Sequence, residues 1–138
     1  SCVAWLQFRR SDAVAVAIGG ALGSLARVSL TGGVDGSLAT EPPLALLLTT
    51  LAINTLGALV LALLRRPQSL QPPGWLKVGL SVGFLGAFTT WSAVMAAVWI
   101  LGSADSRFLG LGYLVATVVL GSLAAWWGLR SEPRGSLR

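Results

Sequence analysis

Three hydroxyl residues within four positions, Thr89, Thr90 and Ser92, sit inside an otherwise apolar run of this chain. They follow Gly83-Phe84-Leu85-Gly86-Ala87-Phe88. A second apolar run holds one carboxamide, Asn54, and a third holds Tyr113 and Thr117 four residues apart. These groups donate and accept hydrogen bonds but do not titrate near neutral pH, so they suit binding and guiding a polar solute. A helix interrupted in such a run frees backbone amides and carbonyls that lipid cannot satisfy. The Gly83–Ser92 stretch is therefore expected to break its helix and to line a path for something polar.

The elements that must position these groups read as membrane spans. The 138 residues are 54% hydrophobic and only 11% charged. Mean hydropathy is +0.76, outside the soluble range. The runs 44–64, 78–101 and 108–129 carry no charge, and 13–31 is interrupted only by Arg27. A hydrocarbon core of about 30 Å takes about 20 residues to cross. The expected fold is one all-α membrane domain over 1–138, with spans at 13–31, 44–64, 76–101 and 108–129. A soluble bundle would need a polar outer face on each helix. Arg9 and Arg10 precede the first run, but its length and glycine pattern predict a retained helix rather than a signal peptide.

Composition removes several functions. The chain has no His and one Cys, so an ordinary His/Cys metal site and an internal disulfide are excluded. Its acids, Asp12, Asp35, Glu41, Asp105 and Glu132, fall in loops or at helix ends. A small four-helix multidrug or cation exporter would need a membrane-embedded carboxylate to exchange protons. Acid–base and nucleophilic catalysis lack residues at depth, so no enzyme is expected.

Four spans put Arg9, Arg10, Arg65, Arg66, Lys77, Arg130, Arg134 and Arg138 on one side, eight of the ten basic residues. Arg27 and Arg107 fall on the other. This bias places both termini in the cytoplasm. The basic tail is expected to set topology or meet anionic lipid headgroups, not nucleic acid.

Within the first span Gly19, Gly23 and Arg27 share a face, and such small residues let helices pack closely in lipid. Arg27 either opens into a vestibule, where it would attract an anion, or snorkels to the headgroups. Asn54 either bonds another helix or faces a polar path. Tyr113 and Thr117 either line a pore or bond neighbouring helices.

Gly19-Gly20-Ala21-Leu22-Gly23-Ser24-Leu25-Ala26-Arg27, Asn54-Thr55-Leu56-Gly57, Gly83 to Ser92 and Tyr113 together resemble the CrcB/Fluc family of fluoride channels. The resemblance covers all four spans. It implies an antiparallel dimer whose third helix breaks at mid-membrane, with passive, fluoride-specific conduction at the subunit interface. It also implies a structural sodium ion held by the backbone carbonyls of Gly86 and Thr89. By the same resemblance, Asn54, Thr90, Trp91, Ser92, Val94, Tyr113 and Thr117 line the anion path, with Arg27 in the vestibule. Fluoride is small and strongly hydrated, so such a path must replace its water with close donors.

Two positions depart from the family pattern, which places phenylalanine where Trp91 and Val94 stand. Trp91 keeps a ring edge and adds an N–H, whereas Val94 keeps only bulk. Ala97 stands where the family often has an embedded acid. Some family members pair two different, oppositely oriented subunits. The eight-to-two charge bias suits one half of such a heterodimer, as a conducting or a non-conducting partner, over a homodimer inserted both ways.

Overall fold

The computed structural model describes residues 10–31, 44–65, 72–103 and 107–130. These are helical, with no strand among them. Helix α1 is Arg10–Leu30 and α2 is Leu44–Leu64. The third span is composite. It begins as α3, Gly74–Val78, widens into a π-helical segment, Gly79–Phe84, and tightens again as α4, Leu85–Phe88. After an interruption at Thr89 and Thr90 it continues as α5, Trp91–Ser103. Helix α6 is Arg107–Arg130. Four segments, Arg10–Leu30, Leu44–Leu64, Gly74–Gly102 and Phe108–Arg130, are long and apolar enough to cross a membrane.

The sequence places the starts of the first and third spans at 13 and 76. In the structure α1 begins at Arg10 and α3 at Gly74. Polar Arg10, Ser11 and Asp12 extend α1 by a turn, and Pro73 precedes α3 where a missing N–H costs nothing.

Two ends of the unit can be told apart. One gathers Arg10, Leu64, Gly74 and Arg130; the other gathers Leu30, Leu44, Ser103 and Arg107. Contacts follow this order. Helix α1 runs beside α3, the π-helical segment and α4, while α6 packs on α2 and α5. Glycines decide how close these pairs come. A Cβ on Gly19 would overlap the Gly79 carbonyl, and one on Gly23 the Phe84 carbonyl. From the other side, a Cβ on Gly83 would lie 2.6 Å from the Val16 carbonyl oxygen. The small faces therefore serve backbone-to-backbone packing, the role expected of them in lipid. Most apolar side chains point outward, including Leu22, Val82, Trp99 and Phe108. In water such exposure would be unfavourable, and a hydrocarbon surround removes that cost. At the end of α6, Arg130 lies 3.9 Å from the Trp126 ring centroid, an aromatic–cation pair typical of a membrane interface.

Candidate functional site

The π-helical segment and the interruption at Thr89–Thr90 have different causes. The former keeps its hydrogen bonds inside the segment: the Leu85 N–H reaches back five residues to the Leu80 carbonyl. The wider turn suits the close approach of α1. The latter is made by side chains. Helix α4 ends with the Thr89 N–H donating to the Leu85 carbonyl at 3.0 Å. Thr89 itself is extended, with φ −75° and ψ 153°, and its hydroxyl also donates to the Leu85 carbonyl, at 2.9 Å. Thr90 then caps α5. Its Oγ1 accepts from the Ala93 N–H at 3.2 Å, the N-cap bond that Thr commonly makes.

Asn54 of α2 brackets this junction. The Thr90 N–H donates to Asn54 Oδ1 at 2.9 Å, and Asn54 Nδ2 donates to the Thr90 carbonyl at 3.0 Å. A backbone N–H only donates and a carbonyl only accepts, so these partners fix the orientation of the carboxamide. The amide carries a second N–H. That group has no bond among the described residues, and Asn54 lines a cavity of about 450 Å³.

The bracket changes the backbone around it. In an unbroken helix the Thr90 N–H would reach the Gly86 carbonyl, and the Ala93 N–H the Thr89 carbonyl. Both donors are diverted, one to Asn54 and one to Thr90 Oγ1. The carbonyls of Gly86 and Thr89 therefore lose their ordinary i+4 donors. Gly86 is exposed, and a Cβ there would meet nothing within 4 Å. Uncharged carbonyl oxygens without a helical donor are the ligand type that suits a hard monovalent cation. Among the described residues no cluster of His, Cys, Asp or Glu suits a metal.

Two cavities reach the junction from opposite ends. The first includes Asn54, Ser81, Thr89, Thr90, Thr117 and Ser122, and extends toward the end that holds Arg10 and Arg130. The second, about 310 Å³, runs from Arg27 and Thr31 past Thr50 to Thr90. Thr90 lines both. It is 8% exposed, and its hydroxyl sits 3.1 Å from Ser92 Oγ.

The remaining expected residues separate. Arg27 is half-buried and lines the second cavity with Thr50 and Thr90. Trp91 is 58% exposed and borders the first cavity. Ser92 is exposed beside it. Thr117 is buried and lines the first cavity, with its hydroxyl donating to the Tyr113 carbonyl at 2.8 Å. The Tyr113 hydroxyl donates to the Leu47 carbonyl at 3.1 Å, tying α6 to α2. Val94 is fully buried within this chain. It lies on the inner face of α5, one turn past Thr90, where an aliphatic side chain fills the core.

Thr50 belongs to the site without having been singled out from the sequence, and Gly57, quoted there only as part of the second-span motif, joins it. Thr50 is 3% exposed and lies one turn before Asn54 on the same face of α2. That spacing of four was the available signal. Gly57 makes room for the Thr89 methyl, which a Cβ there would overlap.

An all-helical unit with four spanning-length segments and polar groups gathered at an interrupted span defines a multi-pass membrane protein. Sequence comparison makes this specific. The profile described as "CrcB-like protein, Camphor Resistance (CrcB)" matches residues 14–129, and the chain belongs to this CrcB/Fluc family. A relative named fluoride-specific ion channel FluC, from Azotobacter vinelandii, is 36% identical over 118 residues, 84% of this chain and 92% of the relative. A protein of the same name from Magnetococcus marinus is 38% identical over 116 residues, 83% and 91% of the two chains. Another, from Solibacter usitatus, is 31% identical over 115 residues, 82% and 91%.

Proposed function

We propose that this chain forms a fluoride-specific channel for passive export of the anion from the cytoplasm, lowering intracellular fluoride. The observation that carries the reading is the convergence of two cavities from opposite ends on Thr90, beside a carboxamide with an N–H to spare. Family membership supplies the ion, through relatives named as fluoride-specific channels. Thr50, Asn54 and Thr90 offer donors to replace the water of a small anion, while Thr117, whose O–H is bonded to the Tyr113 carbonyl, shapes the wall of the first cavity. Arg27 at the entrance to the second cavity raises the local anion concentration. Fluoride that enters as the neutral acid ionises inside, and the membrane potential then drives the anion outward without coupled chemistry.

The interruption of the third span falls at mid-membrane in this reading. Gly86, Trp91 and Ser92 are exposed there, an unsuitable face for lipid and a suitable one for a second subunit. The partner is oppositely oriented, and a structural sodium ion sits on the shared axis, held by the Gly86 and Thr89 carbonyls of the two chains. Four neutral oxygens would then hold it without a carboxylate. The eight-to-two distribution of Lys and Arg favours one orientation for this chain, with both termini cytoplasmic in the plasma membrane. Its partner is then a paralogous subunit with the opposite bias.

Fluoride efflux from proteoliposomes, read with a fluoride electrode, tests both parts. The chain reconstituted with an oppositely biased partner should release fluoride and not chloride, and the chain alone should release little. No efflux from the pair would overturn the channel reading. Rapid efflux from the chain alone would overturn only the obligate pairing.

A further inference from the structure

The outer surface of α1 carries a furrow that the anion path does not use. Its wide part, about 420 Å³, lies at the end that holds Arg10, between Arg10, Ser11, Val14 and Ile18 of α1 and Trp75 of α3. It continues into a narrower cleft of about 160 Å³ with Ile18, Leu22, Trp75, Leu80 and Phe84 along it. Ala15, Ile18 and Trp75 belong to both parts, so the furrow is continuous. It exists because Gly19 and Gly79 bring two backbones together and leave no side chains between the flanking Ile18, Leu22 and Leu80.

The chemistry changes along its length. The wide part has a guanidinium and a hydroxyl; the narrow part is apolar. Arg10 is exposed and has no ion pair among the described residues. Trp75, half exposed beside it, is the side chain expected at the level of lipid headgroups. From Ala15 to Leu22 the helix rises about 10 Å, enough to seat the upper part of one acyl chain.

We infer that this furrow is a binding site for one anionic phospholipid, with its phosphate at Arg10 and Ser11 and an acyl chain along Ile18, Leu22 and Phe84. Charge complementarity selects the headgroup, and the apolar cleft requires the chain. A phosphate without an acyl chain would lack most of the contact. The proposal stands apart from the identity of the conducted ion, since none of these residues lines the cavities that meet at Thr90.

Native mass spectrometry of the purified protein, together with its partner subunit where the two co-purify, tests this. Phosphatidylglycerol and phosphatidylcholine are added in equal amounts. The protein should retain phosphatidylglycerol in preference, and glycerol phosphate should not displace it. Arg10→Gln should lower phosphatidylglycerol retention about fivefold, the effect of one basic group at a membrane surface, and leave phosphatidylcholine retention unchanged. Ile18→Trp, at an exposed position, should fill the cleft and reduce retention of both lipids. Unchanged helical circular dichroism and elution volume establish that each variant is folded. Equal retention of the two lipids by the unaltered protein, displacement by glycerol phosphate, or phosphatidylglycerol retention unchanged in both variants would each overturn the proposal.

Discussion

The third span departs from α-helical geometry twice, and the two departures differ in what completes them. Between Gly79 and Phe84 the backbone loosens but stays internally bonded, and its glycines let α1 approach. At Thr90 the backbone N–H leaves the helical ladder, and a side chain from another helix takes it up. The first region is packing, backbone against backbone. The second is a polar junction built across 36 residues of sequence, at which two cavities end. A membrane helix can thus bend its rules locally for close fit, but it opens toward a path only where a neighbour satisfies its polar groups.

The largest effect should come from removing the carboxamide. Asn54→Ala leaves the Thr90 N–H without a partner and takes one of two donors from the Thr90 carbonyl, which as the N-cap of α5 still accepts within that helix. An orphaned buried N–H costs about 1–3 kcal/mol. Some of this loss is recovered if Thr90 rejoins the helix through the Gly86 carbonyl. The expected outcome is near-complete loss of fluoride efflux from the reconstituted pair, with helical content retained. Efflux at the original rate would place the junction outside the path.

Packing variants should act oppositely. Gly23→Val drives side-chain atoms into the Phe84 carbonyl, and overpacking of this kind costs about 1–3 kcal/mol. It should lower the thermal midpoint in detergent, and the fraction that stays folded should still select fluoride over chloride. A loss of selectivity in that fraction would erase the distinction between the two regions.

A smaller effect is expected at the shared wall of the cavities. Thr90→Val keeps the bulk but removes the hydroxyl that caps α5 and contacts Ser92. Loss of an N-cap costs about 1 kcal/mol. Efflux should fall while the protein remains folded, and a Ser at the same position should restore much of it.

Much of this architecture is legible in the sequence. Apolar runs of spanning length mark the four membrane-crossing segments, and a lone amide within one of them has to find a partner. The glycine faces of α1 and the third span announce close packing. The partner of Asn54 is not legible, because a hydrogen bond between residues 54 and 90 depends on how α2 meets the third span. The π-helical turn is hidden for a related reason: glycines permit it, but the approach of α1 selects it. The burial of Val94 is likewise not legible, because it depends on which face α5 turns toward the other helices after the Thr90 cap.

Dipolar recoupling by solid-state NMR in lipid bilayers, between the Thr90 amide nitrogen and the Asn54 side-chain carboxamide carbon, measures the central contact itself. A strong coupling is predicted, as the 2.9 Å bond between the Thr90 N–H and Asn54 Oδ1 requires. If the Thr90 nitrogen were coupled instead to the Gly86 carbonyl carbon, the helix would be continuous through the junction and the account would be contradicted.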